Sequence, residues 1–363
     1  MNIGLPVVDS LNISAFSVTL NKQYLVNSYK LYWFWGILEE VKKGNNEINF
    51  RTIVSRMVVK SWFTLLQYKL HFGVQDKLYL LVNNIFSSNS GLTIKSHPDD
   101  IFKYVEQTKD LDILKEITNF YNYVPYRFLT PFYQNKLNGI PDAKRNDEIK
   151  KLSNTEPQFY RITDEIIIIE KDWFDYLFNN QAIVEGWLMH KLISFLQSRN
   201  PNVPAIIEKI YFPQRQSLVK FANYWKPVIQ DLKLKNIYDG NYLEINDLSI
   251  DHFIPWSFVH HDKIWNLVPI SNSVNSMKSD KLPDLKKHLD KFTQIQFETL
   301  KYYLSKNKHT KVLEDYNLLG NIELHKNLPY ELFKDTLEAA IIPLYQLAKN
   351  QGFPLWDSQS LTG

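Results

Sequence analysis

The chain of 363 residues contains no cysteine. Disulfide bridges and zinc sites built from cysteine are therefore excluded, and the composition is compatible with a reducing cytoplasm. The net charge is only +3, which excludes a polycationic DNA coat and confines any nucleic-acid surface to a local patch. No apolar run reaches membrane-spanning length, and the start MNIGLPVVDSLNI lacks the basic and apolar regions of a signal peptide. We therefore expect a cytoplasmic protein without a membrane segment.

Apolar residues make up 44% of the chain and aromatic residues 14%, which is ample for a sizeable core. The length allows two domains, and the charged, weakly apolar segment Pro141–Glu156 is a candidate boundary. We expect an α+β protein that is mostly helical, with a helical module at 1–150 and a second module at 151–363. QFYRITDEIIIIE predicts a hairpin turning at Thr163-Asp164, because its second half is β-branched and has no helical period. The predicted helices are Asn21–Lys43, Asn49–Phe72, Lys77–Phe86, Asp99–Phe120, Asp172–Asn200, Phe212–Lys233, Asp284–Lys306 and Asn327–Gln351.

The most informative stretch is Ile250–Pro283, which reads IDHFIPWSFVHHDKIWNLVPISNSVNSMKSDKLP. Asp251 and His252 end one apolar run, and Asn266 lies at the start of a second. Asn275 opens a short helical stretch. The order is a carboxylate and an imidazole on one strand, an amide on the next, and an oxygen donor on a helix. This pattern is what a one-metal phosphodiesterase needs.

Cutting a phosphodiester requires an attacking water, a base for its proton and a positive charge at the phosphate. Mg²⁺ supplies that charge, and it prefers oxygen ligands and keeps several waters, so Asp251 and Asn275 suffice as its protein ligands. Mn²⁺ is the alternative ion. An imidazole ordinarily titrates near neutral pH, so a histidine such as His252 suits the role of general base. Asn266 can bond backbone groups and hold the loop Pro255–Trp265 in place.

These residues resemble the HNH, or ββα-metal, nuclease motif, and most closely the HNH domain of the RNA-guided type II CRISPR effector. The shared sequence is Asp-His, Pro, Ser-Phe, Asn, Asn, Lys-Ser-Asp and Pro at closely similar spacing. The resemblance implies that His252 is the general base, that Asp251 and Asn275 bind the metal, and that Asn266 is structural. Many relatives carry His at the last position, so Asn275 places the chain in a His-Asn-Asn subset. The resemblance also implies a ββα core at about residues 236–283.

Many HNH nucleases pin this core with a zinc knuckle of two Cys-x-x-Cys pairs, which a chain without cysteine cannot form. NIYDG at Asn236–Gly240 lies where the first pair is expected, and YLEINDLSID after it is a predicted strand. Packing of Ile237, Tyr238 and Leu243 would have to replace the zinc.

Nucleic-acid contacts are expected from basic side chains of the motif and of the preceding helix, namely Lys278, Lys281, Arg215 and Lys220. Two helical stretches mix basic and aromatic residues, and each is interpreted either as a nucleic-acid surface or as an ordinary helix with a core face. The first comprises Arg51, Arg56, Lys60, Lys69, Trp62 and Tyr68; the second comprises Arg215, Lys220, Lys226, Lys233, Lys235, Tyr224 and Trp225. His260 and His261 are expected to form a solvated loop pair, with phosphate or metal contact as the alternative.

The resemblance predicts a Mg²⁺-dependent endonuclease acting on DNA, with RNA as the other candidate substrate, in a prokaryotic anti-phage defence system. The motif reads little sequence, so we expect residues 1–150 to restrain or deliver the nuclease by docking a protein partner. Aromatic residues such as Tyr29, Tyr32 and Trp33 would form that docking surface unless they are core. The competing functions are a non-catalytic binding or scaffold protein that keeps the ββα fold, and an RNA-cleaving toxin.

Overall fold

The computed structural model describes residues 4–88, 90–306, 310–320 and 322–357. Helices account for 59% of the described residues and the sheets have two or three strands, which confirms the predicted α+β class. The helices are α1 (Ile13–Val18), α2 (Tyr29–Val41), α3 (Phe50–Leu66), α4 (Lys77–Ser87), α5 (Pro98–Gln107), α6 (Leu111–Tyr121), α7 (Val124–Phe128), α8 (Arg145–Thr155), α9 (Lys171–Asn179), α10 (Gln181–Arg199), α11 (Val219–Leu232), α12 (Trp256–Val259), α13 (Asn272–Lys278), α14 (Leu285–Ser305) and α15 (Tyr330–Asn350). The strands are β1 (Glu47–Asn49), β2 (Tyr160–Thr163), β3 (Ile166–Ile169), β4 (Leu248–His252) and β5 (Leu267–Ser271).

The chain divides into two compact units, and the division falls later than expected. The first unit runs to Pro201 and includes Ile206–Phe212, while the second comprises Asn202–Ala205 and the chain from Pro213 onward. The predicted boundary at 150/151 therefore lies inside the first unit. The charged composition of Pro141–Glu156 suggested a boundary, but α8 lies within this segment. This helix buries Ile149 and Leu152 in the first unit and packs on β2.

The first unit contains a three-stranded antiparallel sheet in the order β1-β3-β2. The predicted hairpin is confirmed as β2 and β3, whose turn places Asp164 at a left-handed φ of 46°. The third strand was not expected. It is only three residues long, with Ile48 opposite Ile167, so it carries too little alternation to be recognised in the sequence. Its pairing explains why the hairpin belongs with the N-terminal helices.

Aromatic side chains of α2 and α3 lie inside the first unit. Tyr32, Trp33 and Trp62 are fully buried, so the idea that Tyr32 and Trp33 form a docking surface is wrong. The basic residues of α3 have internal partners: Arg56 pairs with Glu40 at 2.7 Å, and Arg51 donates to the Val105 and Thr108 carbonyls. The first basic-aromatic stretch is therefore an ordinary helix with a core face.

Helix ends follow local capping chemistry more closely than hydrophobic period. The predicted helix Asp99–Phe120 is two helices, because the Asp110 carboxylate accepts hydrogen bonds from the Asp112 and Ile113 amides and starts α6. The predicted helix Asp172–Asn200 divides into α9 and α10 at Asn180, whose side chain does not cap α10 but donates back to the Tyr176 carbonyl at 2.8 Å. None of the helices in the described residues has the length and apolarity needed to cross a membrane.

The second unit packs β4, β5 and α13 against the long helices α11, α14 and α15. Ile250, Val268 and Ile270 of the two strands join a single core with Phe292 of α14 and Phe333 of α15. The predicted first strand, YLEINDLSID, is shorter than expected, because Ile245–Asp247 forms a 3₁₀ turn and β4 begins only at Leu248. The hairpin of β4 and β5 therefore packs on the helices α11, α14 and α15.

Candidate active site

The site is built on the antiparallel pair β4 and β5. Leu248 lies opposite Ser271 and His252 opposite Leu267. Ser249 and Asp251 are two residues apart on β4, so their side chains share one face, and His252 takes the other. Burial of Ile250 between them fixes this register, because a one-residue slip would place Asp251 in the apolar core.

Helix α13 follows β5 directly and contacts the Ser249–Asp251 face of β4. The side-chain nitrogen Nδ2 of Asn275 donates a hydrogen bond to Ser249 Oγ at 2.7 Å. Lys278, three residues on and therefore on the same helix face, places its Nζ 2.9 Å from Asp251 Oδ2. The structure thus brings the predicted ligands Asp251 and Asn275 to one face of the hairpin.

Asp251 is a buried carboxylate with two internal partners. Only 5% of the residue is exposed. Lys278 Nζ also donates to Asp251 Oδ1 at 3.2 Å, and the Tyr238 hydroxyl donates to Oδ2 at 3.3 Å. Burial raises the pKa of Asp251 above its ordinary value, and the Lys278 charge opposes that rise. Tyr238 was assigned to packing from the sequence, and nothing in its NIYDG context signals the contact with Asp251.

Lys278 is placed differently from the expectation that it contacts phosphate. Its side chain is fully buried, and its Nζ donates to the His252 carbonyl at 2.8 Å as well as to Asp251. The ammonium group is therefore an internal counter-ion of the metal-ligand candidate. The sequence placed it correctly on the helix, but spacing alone does not reveal how deeply the side chain is buried.

His252 is oriented by an acid that the sequence reasoning did not select. His252 Nε2 lies 2.8 Å from Asp262 Oδ1. Burial raises the pKa of Asp262, but the hydrogen bond from His252 and the charges of His252 and Lys220 outweigh it and hold the pKa below its ordinary value. A carboxylate can only accept, so Nε2 carries the proton and the lone pair of the neutral ring is on Nδ1. In the sequence, Asp262 could have been recognised as an acidic residue inside the loop that leads to Asn266.

Asn266 lies at the end of that loop and bonds the backbone at its start. It is fully buried; its Oδ1 accepts from the Ile254 amide at 2.8 Å and its Nδ2 donates to the Ile254 carbonyl at 2.9 Å. The Phe253 amide also donates to the Asn266 carbonyl at 2.8 Å. These bonds tie the residues just after His252 to the start of β5, so they fix the direction in which the imidazole leaves the strand.

His260 and His261 are half-buried, which corrects the expectation of a solvated pair. The His260 ring lies 4.2 Å from the Trp256 ring, and the His261 ring lies 5.0 Å from the Trp265 ring. Burial, with the nearby charges of His252 and Lys263, lowers the pKa of His261 to about 4. The His261 ring is therefore neutral at pH 7 and packs as an aromatic side chain.

The remaining predicted nucleic-acid residues lie around the hairpin at different depths. Lys281 is partly buried and its Nζ donates to the Met277 carbonyl at 3.2 Å. Arg215 and Lys220 are exposed; the Arg215 guanidinium lies 4.7 Å from the Trp256 ring and 3.4 Å from Asp280. Tyr224 and Trp225, by contrast, are buried in the core. Of the second basic-aromatic stretch, only the cations are on the surface.

The donor set is suited to an oxygen-preferring ion rather than to zinc. Among the described residues, no group of three or more His, Asp or Glu side chains is arranged to hold a metal. An ion that keeps several waters needs only one or two protein oxygens. A carboxylate has about four acceptor positions, and Lys278 and Tyr238 occupy three on Asp251. In the described part of the chain no hydrogen bond uses Asn275 Oδ1, so both ligand candidates retain an acceptor.

The segment before β4 is held by packing, as the absence of cysteine predicted. Asn236 and Asn241 close a turn through the bond from the Asn236 amide to the Asn241 carbonyl at 2.8 Å. Ile237 and Tyr238 are buried, and Tyr238 packs edge-on against His288 and Trp356 at 5.0 and 4.9 Å. Leu243 packs on the same core, so hydrophobic contacts stand where a zinc knuckle would.

Comparison with known families assigns this segment. Residues 236–284 match the family of HNH endonucleases. The match covers the turn, β4, β5 and α13, which we call the HNH core, and it supports nuclease activity for the second unit. No curated protein and no solved structure matches the chain. The finer resemblance, to the CRISPR effector and the His-Asn-Asn subset, stays a prediction.

Proposed function

We propose that the protein is a Mg²⁺- or Mn²⁺-dependent endonuclease that hydrolyses phosphodiester bonds in DNA. The observation that carries the proposal is the convergence of Asp251, Asn275 and the oriented His252 on a segment that matches the HNH family. Asp251 and Asn275 would hold the ion, which when bound supplies positive charge at the scissile phosphate.

In this scheme His252 Nδ1 accepts the proton of the attacking water. Asp262 holds the imidazole by accepting from Nε2, which also stabilises the imidazolium that forms. Asn266 keeps the ring in position through its two bonds to Ile254. The exposed Arg215 and Lys220 would contact the backbone phosphates, a role that carries no sequence preference.

The role in the cell would be that of a nuclease component in prokaryotic anti-phage defence, within a larger restriction-like or CRISPR-associated complex. This step rests on the resemblance of the motif. The HNH core offers few side chains that could read bases, so the first unit would supply restraint or delivery through a protein partner.

The test is plasmid cleavage by the full chain with Mg²⁺ or Mn²⁺, with EDTA, and with tRNA as a competing substrate. His252→Ala should lose about 10²–10⁴-fold in rate while circular dichroism and a cooperative melting curve show that the variant is folded. His325→Ala is the matched control, because His325 is an exposed histidine of the same unit. Wild-type cutting by His252→Ala would refute the assignment, cleavage of tRNA alone would indicate the RNA nuclease, and no cleavage of either would indicate a scaffold.

A further inference from the structure

The first unit contains a pocket that the HNH core does not use. Its volume is about 580 Å³, which lies in the range of small-molecule sites. One wall is aromatic: Tyr29 and Phe120 meet edge to face at 5.1 Å. Tyr123 also lines the pocket and is 60% exposed, so much of its side chain remains accessible to a ligand.

The pocket carries an excess of positive charge. Four cationic side chains and one acid line it. The acid, Asp142, is already engaged by Arg127, whose Nη1 lies 2.7 Å from Asp142 Oδ1. Within the described residues, Lys30, Lys77 and Arg145 form no ion pair. Arg145 donates from Nε to the Ile140 carbonyl at 3.0 Å, which leaves the outer guanidinium nitrogens for another acceptor.

Lys30 is the most informative of these cations. It is partly buried, and its Nζ lies 5.6 Å from the centre of the Tyr24 ring. Burial, followed by the charge of Arg127, lowers the pKa of Lys30 to about 8. A desolvated ammonium beside a guanidinium, with no carboxylate to pair with, opposes folding. Its presence at a pocket wall is explained if a bound anion completes the site.

We propose that this pocket binds a nucleotide. Lys30, Lys77 and Arg145 hold its phosphate, and Tyr123 stacks on its base. Charge-assisted hydrogen bonds from lysine and arginine suit phosphate, and an exposed tyrosine ring offers a stacking face for any base. The aromatic wall of Tyr29 and Phe120 favours a nucleotide over a bare inorganic anion, because an inorganic anion gains no binding energy from contact with the rings. The inference is independent of the proposed nuclease activity.

Isothermal titration of the full chain with the four ribonucleoside 5′-monophosphates tests the proposal, with inorganic phosphate and adenosine as partial ligands. We expect at least one monophosphate to bind roughly tenfold or more tightly than either partial ligand. Adenosine lacks the charge-assisted contacts and inorganic phosphate lacks the stacked base, and either loss is worth about a factor of ten or more. Lys30→Gln and Arg145→Gln should each weaken that monophosphate by about tenfold. Tyr123→Ala should weaken the monophosphate but not phosphate.

Lys115→Gln is the matched control, because Lys115 is an exposed lysine on α6 outside the pocket, and it should bind as the wild type does. Melting curves establish that each variant is folded, and Arg145→Gln serves if Lys30→Gln is not. The proposal is overturned if no monophosphate binds at millimolar concentration, if phosphate alone binds as tightly as the best monophosphate, or if the folded charge variants bind normally. Because the readout is binding, His252→Ala should give the same result as the wild type.

Discussion

The buried pair of Lys278 and Asp251 allows a sharp test of the site's electrostatics. In Lys278→Met the ammonium group is lost while the length of the side chain is nearly kept. The variant leaves Asp251, 5% exposed, with the Tyr238 hydroxyl and without its counter-ion. Breaking a buried ion pair by removing one partner costs about 3–5 kcal/mol. The His252 carbonyl also loses a donor at 2.8 Å, so the upper part of that range is expected.

The assay is urea unfolding at pH 7, followed by the tryptophan fluorescence of the second unit. That unit contains Trp225, Trp256, Trp265 and Trp356. Tryptophans of the first unit contribute a separate signal, so each transition is fitted on its own rather than as one two-state step. Lys281→Met is the control, because Lys281 bonds only a helix carbonyl and the change should stay within about 0.5 kcal/mol.

A second substitution separates electrostatics from packing. Asp251→Asn removes the charge that Lys278 neutralises, so the double variant Lys278→Met, Asp251→Asn should recover a large part of the lost stability. If Lys278→Met unfolds at the wild-type urea concentration, the ion pair does not hold Asp251 as the structure shows. If the double variant is no more stable than Lys278→Met, the loss arises from packing instead.

Three further outcomes are expected. Asn266→Ala should lower the unfolding free energy of the second unit by about 2–4 kcal/mol, because it leaves the buried Ile254 amide and carbonyl unpaired; a loss below about 0.5 kcal/mol would contradict this reasoning. Asp262→Asn should lower kcat with little change in KM, since the carboxylate acts by holding the His252 tautomer. Asp262→Glu keeps a carboxylate and should retain part of the wild-type kcat. An equal loss of kcat in the Asn and Glu variants would indicate a merely structural role. Deleting residues 1–212, which removes the first unit together with Asn202–Ala205 of the second, should spare cleavage in isolation and abolish selective function in cells. Full selective activity of the truncated chain would refute the delivery role.

The sequence predicted the parts of the fold that depend on local pattern. The hairpin at Tyr160–Ile169 was recognisable because four consecutive isoleucines have no helical period. The domain boundary was not, because β1 joins that hairpin from more than a hundred residues away. A pairing of this kind depends on tertiary contacts, and neither the charge of Pro141–Glu156 nor its low apolar content reports on them.

The candidate site shows the same division between local pattern and tertiary contact. Asp251, His252, Asn266 and Asn275 could be selected as candidates from the sequence because one short hairpin and helix fix their spacing. Asp262 lies within the same loop, and its selection required knowing that the loop folds back on the His252 ring. In the proposed role of general base, His252 needs such an orienting acceptor, because without it the two tautomers compete.

Lys278 shows the same division, since its position on α13 was predicted but its contact with Asp251 was not. The spacing of three residues from Asn275 places it on the face that contacts β4, but only the depth of burial decides whether its charge meets phosphate or Asp251. Because the ammonium reaches both carboxylate oxygens, any cation that binds Asp251 must share that carboxylate with Lys278. Under the proposed function, Lys278 would therefore compete with the metal ion for the Asp251 carboxylate.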